Sequence, residues 1–199
     1  MQTITALVFN DYETLDLFGP VEIFGNLKEH YRLQFASISG SLISNHHNVE
    51  LNTIPVAKLP FSTDILLIVG GSGTRQLVED TVFLNILADL ADSASWVLSV
   101  CTGSALLAKA GILDGKRATS NKRAWQWVVE QSDQVHWVHQ ARWVIDGKFY
   151  TSSGVSAGID MALGFIANQH MLKTSQDIAQ AIEYRWQPDS QIDEFCHSH

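Results

Sequence analysis

The sequence predicts an α/β domain built on a mainly parallel sheet. Three apolar runs, Thr3–Phe9, Asp64–Val69 and Trp96–Val100, lack the alternation of half-exposed strands and read as strands covered on both faces. Segments with helical spacing lie between them, and strands that alternate with helices assemble into parallel sheets. Two of the runs end abruptly in small-residue turns, Gly70-Gly71-Ser72-Gly73 and Cys101-Thr102-Gly103-Ser104. In such sheets ligands bind outside the carboxyl ends of the strands, where those turns fall.

Taken in order, Thr3–Phe9 is the first strand and residues 10–14 a polar loop. Leu17, Val21, Phe24 and Leu27 keep helical spacing, with Pro20 early in the helix. Tyr31–Ser39 alternates as a strand, and Ser41–Ile54 suits a hairpin or edge ribbon. Helices are expected over residues 81–92, 105–110, 121–130, 159–170 and 175–185. Arg117–Ser120 suits a short strand or loop, and His136–Val138 a strand. Arg142–Tyr150 reads as a strand broken by a turn at Asp146-Gly147, followed by a small, polar stretch from Thr151 to Gly158. With 199 residues and no linker, repeat or low-complexity tract, the chain is expected to form a single domain over 1–199, with a polar, loose tail from about 187.

Composition narrows the function. The formal net charge is −8, from 21 acids against 13 bases, with no basic stripe, so a nucleic-acid-binding face is not expected. No apolar run reaches membrane-spanning length, and the N-terminus reads as a strand rather than a signal peptide. The expectation is a cytoplasmic protein with a small-molecule substrate, no nucleic-acid or membrane partner, and no cofactor or metal. His46-His47 on a ribbon would point to opposite faces, and Cys196-His197-Ser198-His199 falls in the tail, so neither makes a metal site.

Cys101 is the candidate reactive group. A strand, a sharp turn and a helix start would present its sulfur to backbone N–H groups and a helix dipole, which favour thiolate over thiol; the alternative is a small buried core residue. Gly70 and Gly71 could bring backbone N–H donors to an oxyanion. They lack the lysine of a phosphate-binding loop and the spacing of a dinucleotide fingerprint. Asp16, at a strand-to-helix junction, is either a helix cap or, desolvated beside a thiol, a proton donor. Glu22 is its rival on the same helix.

Six stretches in order then match a family: L-D-L-F-G-P (15–20), G-G-S-G (70–73), S-V-C-T-G-S (99–104), A-G-I-L-D-G-K-R-A-T-S (110–120), S-G-V-S-A-G-I-D-M-A-L (153–163) and E-Y (183–184). The chain resembles the ThiJ/PfpI superfamily of glutamine-amidotransferase-like proteins, and within it is most similar to the isocyanide hydratases. The resemblance implies a flavodoxin-like three-layer sandwich, a homodimer, a nucleophilic Cys101 on its elbow, Asp16 as the acidic partner and Thr102 in the site. It places Gly71 and Gly70 near the thiol, with Asn121, Ser153 and Gly154 around the pocket. It implies a lyase or hydrolase that converts an isocyanide to an N-substituted formamide. Peptidase-like relatives carry histidine where Thr102 stands, which argues against a peptidase. Isocyanide hydratases carry histidine where this chain has Asn121, and asparagine cannot shuttle a proton. Two alternatives stay open: a redox-sensing or stress-response protein acting through oxidation of Cys101, and a catalytically silent ligand-binding regulatory domain.

Overall fold

A computed structural model describes residues 1–197. The elements in chain order are β1 (Gln2–Leu7), α1 (Thr14–Gly25), β2 (Tyr31–Ser37), β3 (Ser41–Ser44), β4 (Glu50–Pro55), β5 (Ile65–Ile68), α2 (Thr74–Leu77), α3 (Thr81–Ser93), β6 (Trp96–Ser99) and α4 (Gly103–Lys109). There follow β7 (Arg117–Ala118), α5 (Trp125–Val129), β8 (His136–Trp137), β9 (Trp143–Asp146), β10 (Phe149–Ser152), α6 (Ala157–Gln169) and α7 (Leu172–Ala181). The main sheet runs β3-β4-β2-β1-β5-β6-β10-β9, and β7 pairs with β8 in a separate ribbon. Its centre is parallel, with Leu7 beside Ile68 and Ile68 beside Ser99. The edges are hairpins: β3 runs antiparallel to β4, and β9 to β10.

The apolar runs become the central strands because helices cover both faces. Every residue of β5 and of β10 is buried. On one side α1 packs with α6 and α6 with α7; on the other α2, α3 and α5 gather on α4. This is the expected flavodoxin-like sandwich.

Four expectations change. The helix expected over 121–130 is only Trp125–Val129. Asn121 turns its Oδ1 back to accept the Ala124 N–H at 2.9 Å, and Lys122 is buried against carbonyls, so 121–124 is a loop. The strand expected to end at Tyr150 runs on through Thr151 and Ser152, which close β10 paired with Val144 and Trp143. The last helix begins and ends earlier than 175–185, at Leu172 and Ala181, which frees Tyr184 to donate its hydroxyl to Asp160 at 3.1 Å. The segment after Gln187 is docked rather than loose. The Arg142 N–H donates to the Ser190 carbonyl at 2.8 Å, and Asp193 lies 3.6 Å from Lys122 Nζ and 3.5 Å from Arg142. Two buried cations that share one acidic partner in that segment, Asp193, are the physical reason it folds back.

Candidate functional site

The loops after β1, β5 and β6 meet at one point. Cys101 follows Val100 directly at the end of β6 and takes φ +58°, a left-handed conformation that costs a non-glycine residue about 1–3 kcal/mol. The surroundings hold it there. Its N–H donates to the Ser153 carbonyl at 3.1 Å, and its own carbonyl accepts the hydroxyls of Ser120 at 2.8 Å and Ser104 at 3.1 Å. Across from it Val155 is also left-handed, at φ +45°, and turns its backbone N–H toward the sulfur. The Thr102 N–H and the Asn121 side chain also donate to the sulfur. Two left-handed residues thus face one thiol, and the surrounding structure holds their strain.

Asp16 is fully buried in the first turn of α1. It does not cap that helix, whose N-cap is Glu13. Its Oδ2 instead accepts the Gly70 N–H at 2.9 Å, while Oδ1 is buried with no hydrogen-bond partner among the described residues. Burial pushes its pKa up to about 8, with a smaller upward push from Glu13; the Gly70 N–H and the Cys101 thiol pull it down. Asp16 therefore keeps its proton at neutral pH. Glu22, its rival in the sequence, lies exposed on the same helix.

The same burial acts on Cys101, which is 6% exposed. Its thiol is pushed well up, first by desolvation and then by Asp16, and the three donors oppose this without reversing it. The expected thiolate is thus corrected: the elbow is present, but its enclosure favours the protonated sulfur. The site rests as an adjacent thiol and carboxylic acid.

The expected backbone donors are corrected as well. The Gly70 N–H is taken by Asp16 and the Gly71 N–H by Thr102 Oγ1 at 3.0 Å. The donors at the sulfur are instead the N–H groups of Thr102 and Val155. Gly70 has to be glycine, because a Cβ there would lie 2.6 Å from Thr102 N and 2.8 Å from Asp16 Oδ2. Gly71 sits at φ +130°, and a Cβ there would be 2.3 Å from the Asp11 carbonyl. The Thr102 hydroxyl is held within the glycine turn, 3.2 Å from that of Thr74, so the backbone of Thr102 faces the thiol.

On the opposite wall, Asn121 spends its oxygen on Ala124 and keeps its NH₂ for the sulfur. A Cβ on Gly154 would lie 2.3 Å from Asn121 Nδ2, so glycine leaves the space the amide occupies. A cleft of about 240 Å³ opens beside it, lined by Asn121, Arg123, Ser153, Gly154, Val155 and Phe195 among others.

The sequence does not signal the roles of Ser104, Ser120 and Val155. Ser104 and Ser120 lie inside the matched stretches, but no local pattern tells which carbonyl a serine reaches. No group of three metal-ligating side chains occurs among the described residues. His46 and His47 lie in a turn with rings 3.9 Å apart, not on opposite faces of a strand. Of the Cys-His-Ser-His tract, Ser198 and His199 lie outside the described residues, and Cys196 is buried. No helix among the described residues is long and apolar enough to cross a membrane.

A sandwich of this topology with a strained cysteine at the tip of β6, over a glycine turn and a buried acid, defines a cysteine-elbow α/β protein. The chain belongs to the DJ-1/PfpI family, whose profile matches residues 2–168. It is 30% identical over 191 residues to isonitrile hydratase from Pseudomonas putida, covering 91% of this chain and 78% of that one. It is 31% identical over 140 residues to the transcriptional regulator CdhR from Pseudomonas aeruginosa, covering 70% of this chain but 41% of that one. Among solved structures it is similar to a ThiJ/PfpI family protein from Pseudomonas syringae, with TM-score 0.82 and 27% identity over 94% of this chain and 76% of that one.

Proposed function

We propose that the protein is a cofactor-free, cysteine-dependent hydratase acting on a small electrophilic carbon, with an isocyanide as the reference substrate. The observation that carries this reading is the buried Cys101–Asp16 pair, with a pKa near 8 at the acid and a thiol beside it. A general acid is most effective when its pKa lies near the working pH. The similarity to isonitrile hydratase supports the substrate class.

In this reading the thiol adds across the isocyanide carbon. The sulfur forms the S–C bond, Asp16 gives its proton to that carbon, and the thiol proton passes to the Asp16 carboxylate. The product is a thioimidate on Cys101. Water then attacks the same carbon; Asp16 takes one of its protons to the imidate nitrogen, and the other goes to the sulfur as the C=O bond forms and the S–C bond breaks. An N-substituted formamide leaves, so the sum is substrate plus one water. Covalent catalysis of this kind divides one hard step into two easier ones. Asp16 moves every proton, so asparagine at 121 is no obstacle: its amide orients the sulfur. Thr102 and Val155 N–H groups steady the charge that builds on sulfur.

The homodimer implied by the family resemblance and the cytoplasmic setting expected from the composition belong to this proposal. Redox sensing is less favoured, because a sensor thiol needs exposure and thiolate character, whereas Cys101 is enclosed and held as the thiol. The regulatory reading draws support from the likeness to CdhR. Incubation with an alkyl isocyanide decides between them. Formamide detected by mass spectrometry with wild type, and lost in Cys101→Ala, is the expected result. No turnover by wild type, or full turnover by the variant, would overturn the hydratase.

A further inference from the structure

Beside this site stands a cation that the chemistry above does not use. Arg75 lies in the short helix α2 just after the glycine turn, next to Thr74, whose hydroxyl meets that of Thr102. Its guanidinium lies 3.4 Å over the ring of Trp127, on α5 beyond the Asn121 loop. The stack therefore joins the two walls of the site, the glycine-turn side that holds Asp16 and the Asn121 side that touches sulfur. Arg75 forms no ion pair and no side-chain hydrogen bond among the described residues. It is close enough to Cys101 for charge on that sulfur to act on it.

An arginine stacked by its face keeps its N–H edges free. That planar fork matches a carboxylate in two parallel bonds, and stacking removes part of the conformational cost of forming them. In a chain of net charge −8, an unpaired cation stacked on Trp127 beside the nucleophile stands out against the general field.

We propose that Arg75, fixed on Trp127, is a specificity residue that receives a carboxylate on the substrate, so that the preferred substrates are small electrophiles carrying a carboxylate beyond the reacting carbon. This rests on the reading of Cys101 as a reactive thiol. The anion docks on the free edge of the guanidinium, and the reacting carbon lies inward over the sulfur. A neutral electrophile enters without that anchor.

The test uses two alkylating probes of similar size, iodoacetate and iodoacetamide, on the full chain. With either, the Cys101 sulfur forms a bond to the CH₂ carbon, the C–I bond breaks, iodide leaves and the thiol proton goes to solvent. The readout is the ratio of the two second-order rates at Cys101, followed by the mass of the proteolytic peptide that carries it, which separates it from the second free thiol, Cys196. Any effect of Arg75 on the acidity of the thiol or on the fold moves both rates together and cancels in the ratio. Arg75→Gln is expected to lower the iodoacetate-to-iodoacetamide ratio about tenfold, in line with a charge-assisted hydrogen-bond pair. Arg75→Lys, which keeps the charge but not the fork, should fall between, and Trp127→Leu should lower the ratio by loosening Arg75. A ratio unchanged in Arg75→Gln overturns this inference and leaves the hydratase reading intact. Failure of both reagents to label wild-type Cys101 overturns the reactive thiol and the inference with it.

Discussion

Replacing Asp16 by asparagine should make the protein more stable and less active. The side chain keeps its size, and its oxygen can still accept the Gly70 N–H. What changes is the proton. In the folded protein Asp16 titrates near 8, against 3.8 for an ordinary aspartate. Between those values the folded state holds a proton that the unfolded state has released, so stability falls as pH rises through this window. Each pH unit is worth about 1.4 kcal/mol. Near pH 7 the difference reaches about 4 kcal/mol, an upper figure because the acid and the thiol titrate together. The asparagine side chain has no such proton to lose. Asp16→Asn should therefore be stabilised by a few kcal/mol at pH 7 and by little near pH 4, read from urea midpoints at several pH values. Turnover should fall about 10²–10⁴-fold, the usual share of a general acid. Above about pH 8, where Asp16 carries its charge, alkylation of Cys101 should be faster in the variant, because that charge is one of the two influences that hold its thiol up. A variant whose stability gain does not grow with pH would refute the raised pKa. A variant with undiminished turnover would refute the proton-moving role.

Other expectations follow from the opposite wall. Asn121→Ala removes a donor to the sulfur and the bond that ends the 121–124 loop, so alkylation of Cys101 should require higher pH. Gly154→Ala places a methyl group against the Asn121 amide; it should shift the same pH profile in the same direction and cost about 1–3 kcal/mol in thermal or urea unfolding. Asp193→Ala leaves Lys122 buried without its acid, and should lower stability by about 3–5 kcal/mol by urea denaturation. Asp193→Asn, which keeps the shape without the charge, should recover only part of that loss.

The sheet is readable because its signal is local. Asp64–Val69 and Trp96–Val100 are continuous apolar runs, and such runs have few stable solutions other than strands covered on both faces. The glycines at 70 and 71 and the cysteine at 101 are legible for a related reason: abrupt turns at strand ends need particular residue types. Boundaries are less legible where side chains bond across the chain. The helix expected from Asn121 gives way to a loop once Lys122 finds carbonyls at Ser120 and Ala141. The polar tail reads as loose in the sequence because its anchoring cations, Lys122 and Arg142, stand far away along the chain.

The sequence by itself determined the α/β class and the elbow at Cys101, with the glycine turn and Asp16 at neighbouring strand ends. Tertiary structure alone decided their states. Whether Cys101 rests as thiol or thiolate, and whether Asp16 keeps its proton against the pull of the Gly70 N–H, depends on how completely burial removes water from them. Desolvation and three-dimensional neighbours set those quantities. A linear pattern fixes the residue types, while the dielectric around each group exists only after the chain has closed over it.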